Sequence, residues 1–153
     1  MIQAGQQAPD FTLELLEGGH TTLAELRQAG PLALVFFKAS CPTCQLALPF
    51  LDRLAGGALQ VYAVSQDDAA RTREFLRLFA LKMPVLLDPA SAGYPASNAC
   101  GIQYVPSLFV IEPDGLISAV CEAFDRRAYE PLGLRAGRAM FEPGEEVPLY
   151  KPG

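Results

Sequence analysis

A chain of 153 residues, half of them hydrophobic and 19% charged, has enough apolar material for one packed core and is not a disordered sequence. A formal charge of −5, with no basic run denser than Arg126-Arg127, argues against a nucleic-acid partner. No run approaches the length of a membrane span, about 18 consecutive apolar residues, and Met1–Gln7 has neither the basic nor the apolar stretch of a signal peptide. With Met1 as the native start, the expected location is cytoplasmic; with a leader removed, it is periplasmic or extracytoplasmic.

Along the chain, Phe11–Leu15 alternates apolar and polar residues, Glu17–His20 reads as a turn, and Thr21–Leu23 as the return of an N-terminal hairpin. Leu23–Arg27 is a short helix closed by Gly30-Pro31. Pro31–Phe37 is apolar on both faces, as in a central strand of a covered sheet. Gln45–Ala55 is the next helix, with Leu46, Phe50, Leu51 and Leu54 at core spacing and Gly56-Gly57 as the stop. Leu59–Val64 is a second buried strand. Asp67-Asp68 caps a helix expected over Ala69–Lys82, with Phe75, Leu78 and Phe79 on its packed face.

Val85–Leu87 is a strand stub ended by Asp88-Pro89, and Ser91–Cys100 is weakly helical with Gly101 as its cap. Ser107–Ile111, the turn Glu112–Gly115 and Leu116–Cys121 form a second hairpin. Asp125 starts a final helix to about Met140, and the tail Glu142–Gly153, with three prolines, reads as irregular. The order is α/β: early β-α-β units imply parallel strands, and the late hairpin implies an antiparallel pair. Nothing divides the chain, so residues 1–153 are expected to form a single domain.

The chemistry concentrates at Cys41-Pro42-Thr43-Cys44, where the strand Leu32–Phe37 gives way to a helix. Four cysteines are too few for a disulfide scaffold, so this pair reads as a redox dithiol. Cys41 falls at the helix cap, where backbone N–H groups and the dipole favour negative charge on sulfur. Pro42 suits the first helical position, and Thr43 completes the motif. Cys44, one turn in, fits the resolving role: Cys41 attacks a disulfide and Cys44 displaces the mixed disulfide. A second signal is Val105-Pro106-Ser107, a proline at the start of a strand. Together with the dithiol and the element order it predicts a cis Val105–Pro106 bond, leaving the preceding backbone open to an extended substrate.

With these residues in place, the chain resembles the thioredoxin superfamily, nearest to its redoxin branch of cytochrome-maturation-type oxidoreductases and peroxiredoxins. The motifs span nearly the whole chain. Ala8–Leu13 resembles the branch's opening motif, Leu34–Phe37 with Cys41–Cys44 the active-site strand and dithiol, Pro49 the helix-kinking proline, Val105–Ser107 the cis-proline loop, and Asp114-Gly115 the hairpin turn after it. The resemblance implies a thioredoxin fold: a central mixed β-sheet flanked by helices on both faces, with an N-terminal β-hairpin extension. It also implies a thiol–disulfide oxidoreductase whose partners are a protein disulfide or dithiol and an upstream electron donor or acceptor. No cofactor and no metal are called for. The alternative is a thiol-dependent peroxidase with Cys44 as the peroxidatic residue, although Cys41 stands where that residue's hydroxyl partner is usual.

Three positions depart from the family. Ser40 replaces the tryptophan that usually precedes the dithiol. Val35 takes the place of the buried aspartate, removing a proton acceptor for Cys44. Lys38, three residues before Cys41, would favour negative charge there if its ammonium came close. Cys100 and Cys121 read as small buried hydrophobes or as a second redox pair. His20 is expected at the surface.

Overall fold

A computed structural model of the chain describes residues Met1–Gly153. The elements run β1 (Thr12–Leu15), β2 (His20–Thr22), α1 (Leu23–Gln28), β3 (Leu32–Phe37), α2 (Pro42–Asp52), β4 (Gln60–Ser65) and α3 (Ala69–Leu78). They continue with β5 (Val85–Leu87), α4 (Pro95–Cys100), β6 (Ser107–Ile111), β7 (Ile117–Glu122), β8 (Phe124–Asp125), α5 (Arg126–Ala136) and β9 (Tyr150–Lys151). Seven strands form one mixed sheet in the order β2-β1-β5-β4-β3-β6-β7. β3, β4 and β5 are parallel, as β-α-β units require, whereas β6 and β7 and the β1–β2 hairpin run antiparallel. No helix is long and apolar enough to cross a membrane.

The two faces of the sheet separate by the period of two along each strand. Ala33, Val35 and Phe37 face a core shared with α2, α3 and α5, while Leu32, Leu34 and Phe36 face the core of α1 and α4. Every residue of β3 is buried, which is why its sequence shows no alternation. β3 lies between β4 and β6, so its C-terminal end delivers the following loop to the middle of the sheet edge.

Several boundaries differ from the sequence reading. α2 begins at Pro42, ahead of the Gln45 start of its periodic stretch and as the cap reading of Cys41 and Pro42 implies, and it ends at Asp52 rather than Ala55. α3 stops at Leu78 instead of Lys82, since Ala80 takes a left-handed φ of 52°. Leu78 is not on the packed face: it is 62% exposed, while Thr72 and Phe75 point inward. At 100° per residue Leu78 lies well off the Thr72–Phe75–Phe79 line. Ser91–Cys100 splits into a 3₁₀ turn over Ala90–Ala92 and α4, separated by left-handed Gly93 and Tyr94. α5 ends at Ala136 because Gly137 turns left-handed at φ 70°. The segment Glu142–Gly153, expected to be irregular, contains β9, which pairs with β8 through Phe124–Lys151 and Asp125–Tyr150.

Candidate active site

The dithiol sits on the first turn of α2. Cys41 is the N-cap, extended at φ −84° and ψ 116°, and its sulfur accepts the Cys44 backbone N–H at 3.1 Å. A thiolate here receives an N–H that the helix leaves without an intrahelical partner, and it lies at the positive end of the dipole. Pro42 at the first helical position has no N–H to leave unpaired. Cys41 is half-buried and Cys44 fully buried, and all four thiols are free. Burial holds the Cys44 thiol well above its usual range, and the hydrogen bond with Cys41 adds to the effect. The two cysteines therefore differ in access: Cys41 is partly exposed and Cys44 is enclosed.

The loop ahead of Cys41 is pinned at both polar groups of Ala39. The Asp67 carboxylate accepts the Ala39 N–H at 2.8 Å, and the Gln45 amide donates to the Ala39 carbonyl at 2.9 Å. The Cys41 N–H in turn donates to the Lys38 carbonyl at 3.2 Å. Asp67 follows β4, which pairs with β3, so the sheet brings the carboxylate to the loop. Its charge is also among the influences that raise the Cys44 thiol. The sequence reading assigned Asp67-Asp68 to capping; Asp68 does accept the Arg71 N–H at 2.8 Å, but Asp67 belongs to the site.

On the other side, antiparallel pairing of β6 with β3, Ser107 opposite Phe36, carries Val105-Pro106 to Cys41. The Val105–Pro106 bond is cis. The Cys41 thiol donates to the Val105 carbonyl at 3.5 Å. Next to this contact is an open cleft lined by Lys38, Gln66, Tyr94, Tyr104 and Val105. The Lys38 side chain is exposed, with its ammonium 6.0 Å from the centre of the Tyr94 ring. Thr43, buried between the cysteines, donates from Oγ1 to the Pro152 carbonyl.

The remaining candidates lie apart. Val35 is fully buried on the Cys44 side of the sheet, so an apolar side chain stands at that level of the strand. Cys100 and Cys121 are buried on opposite faces of the sheet and cannot pair with each other. Burial pushes the Cys100 thiol up to about 12 and that of Cys121 up to about 11. The buried Tyr129 hydroxyl has no hydrogen-bond partner. His20 is exposed on β2, and no group of three or more His, Cys, Asp or Glu side chains could hold a metal ion.

A parallel–antiparallel sheet that presents a dithiol at a helix cap beside a cis-proline loop defines a thiol–disulfide oxidoreductase of the thioredoxin fold. The chain belongs to the AhpC/TSA family, which it matches over residues 4–120. It is 30% identical to the thiol-disulfide oxidoreductase ResA of Halalkalibacterium halodurans over 125 residues, 78% of this chain and 69% of the relative. It is 29% identical to the thioredoxin-like protein YneN of Bacillus subtilis over 126 residues, 78% of this chain and 71% of that protein. Among solved structures, the thioredoxin domain of a thiol-disulfide oxidoreductase from Bacteroides vulgatus superposes with a TM-score of 0.76 at 18% identity, covering 89% of this chain and 99% of that one.

Proposed function

We propose that the chain exchanges disulfides with a protein substrate, with Cys41 as the nucleophile and Cys44 as the resolving thiol. The observation that carries this assignment is the asymmetry of the pair: Cys41 is half-buried at the cap with a backbone N–H on its sulfur, and Cys44 is fully buried. The Cys41 thiolate attacks one sulfur of the substrate disulfide. A Cys41–substrate disulfide forms, and the other substrate sulfur leaves as a thiolate that takes up a proton. Cys44 then loses its proton and attacks Cys41, giving the Cys41–Cys44 disulfide and a reduced substrate. An upstream dithiol donor returns the pair to the reduced state; running the cycle backwards oxidises a substrate dithiol instead.

Pro42, Thr43, Lys38, Val105 and Pro106 support the pair. Pro42 sets the first turn, and the Val105 carbonyl receives the Cys41 thiol. Lys38 lines the adjoining cleft, where its charge suits an acidic flank on the substrate. The peroxidase alternative needs a Cys44 thiolate that meets peroxide; a fully buried thiol held protonated does not favour it. The direct test is trapping. A Cys44→Ser protein incubated with a disulfide-bonded protein should accumulate a mixed disulfide through Cys41, located by mass mapping. Failure to trap, or an adduct at Cys100 or Cys121, removes the assignment.

A further inference from the structure

The segment after α5 returns to the dithiol. Val147 packs on the core beside α5, and the Leu149 carbonyl accepts the Arg126 N–H at 2.9 Å. Tyr150 and Lys151 then add β9 to β8. Lys151 precedes a proline, which holds it to extended backbone. Beyond it, the Pro152 carbonyl accepts from Thr43, the residue between the two cysteines. Gly153 lies against the Val105 carbonyl so closely that a β-carbon there would overlap the oxygen. That oxygen also receives the Cys41 thiol.

An extended stretch of the protein's own chain therefore runs over the first turn of α2 to the backbone at Val105–Pro106. We infer that Tyr150–Gly153 is a displaceable strap over the strip where an extended, disulfide-bearing polypeptide docks, so that such a substrate reaches Cys41 by lifting it. The inference rests on the thiol–disulfide reading of Cys41. The strap's hold is limited: one side-chain hydrogen bond from Thr43, a two-residue ladder and a glycine contact. A small disulfide or alkylating agent has no need to lift it, because Cys41 is already half-open to solvent. The strap is thus a filter by substrate shape rather than a block on the sulfur.

Two variants of the 153-residue chain loosen the strap without touching the dithiol. Gly153→Val places a side chain where only hydrogen fits, and Lys151→Pro removes an N–H from the β8–β9 ladder. Each is reacted with a peptide of about ten residues whose cysteine is activated as a mixed disulfide with an aromatic thiol. The Cys41 thiolate forms the Cys41–peptide disulfide and expels the coloured aromatic thiolate. Iodoacetamide alkylation of Cys41 is measured in parallel. Both variants should react with the peptide about tenfold faster than wild type, with alkylation unchanged within about twofold. Equal peptide rates in all three proteins, or peptide and iodoacetamide rates rising together, would overturn the strap. If no protein forms the peptide adduct while iodoacetamide still modifies Cys41, it is the thiol–disulfide reading that falls.

Discussion

The Asp67 carboxylate holds the Ala39 backbone N–H at 2.8 Å, fixing the loop that presents Cys41 from a position 28 residues further along the chain. Removing the acceptor strands a part-buried N–H, which costs about 1–3 kcal/mol. Asp67→Ala should therefore lower unfolding free energy by that amount and slow disulfide exchange. Asp67→Asn keeps an acceptor oxygen and should recover more than half of the lost stability. Urea unfolding of the three proteins checks the order, and equal losses in both variants would contradict the loop-anchoring role.

With Cys44 as the proposed resolving thiol, its raised value sets the pH dependence of the second half-reaction. Burial, followed by the hydrogen bond with Cys41, keeps Cys44 protonated at neutral pH. Only its thiolate can resolve a mixed disulfide, so the resolution rate should climb roughly tenfold per pH unit from neutral upward until Cys44 titrates. Stopped-flow release of reduced substrate from a preformed mixed disulfide measures this step. A rate independent of pH would mean that Cys44 is already ionised.

Cys100 and Cys121 make a separate prediction about stability. Their thiols are raised from an ordinary value of 9.0 to about 12 and about 11, chiefly by burial. A group with a raised folded value stabilises fully below its unfolded value and loses that contribution as pH rises. Each thiol should therefore cost about 1.4 kcal/mol of stability per pH unit above 9.0, up to its folded value. Cys100→Ala and Cys121→Ala should each flatten the alkaline loss in urea unfolding measured at pH values on either side of 9.0. An unchanged alkaline slope in both variants would refute this origin.

Arg53 forks onto Glu145 at 2.7 and 2.6 Å and also donates to the Met140 carbonyl at 2.9 Å, tying the segment after α5 to α2. The Arg53 hydrogen bonds hold the Glu145 carboxyl down to about 2, with help from the Glu142 N–H. A depressed folded value means the tie is complete above about 4.5 and is lost as pH falls toward about 2. Arg135 holds Glu112 down to about 2 as well, so a global acid melt mixes the two. Amide exchange at residues 142–149, taken relative to its intrinsic pH-dependent rate, isolates the Glu145 contribution: it should rise as pH falls across that window in wild type. In Arg53→Ala it should be fast throughout. Protection that persists in Arg53→Ala would contradict the tie.

Much of this architecture was legible because local pattern and final environment agree. Leu32–Phe37 is apolar on both faces and became the fully buried central strand, and Cys41-Pro42 carried the cap and first-turn signals of α2. The proline before Ser107 announced the loop that meets Cys41. Two of the misses share a cause in long-range contacts. Tyr150-Lys151 sits among prolines with no alternation, and only β8, formed far upstream, makes it a strand. Asp67 had a sufficient local role as a cap residue, so nothing nearby pointed to Ala39. Leu78 failed for a local reason: it lies inside α3 but well off the Thr72–Phe75–Phe79 line, so its side chain faces solvent.

The claim that Cys41 performs thiol–disulfide exchange is tested most directly by the rate of insulin disulfide reduction with a dithiol donor. Wild type should accelerate reduction above the donor alone, and Cys41→Ser should bring the rate back to that background. A Cys41→Ser protein working at the wild-type rate would contradict the account.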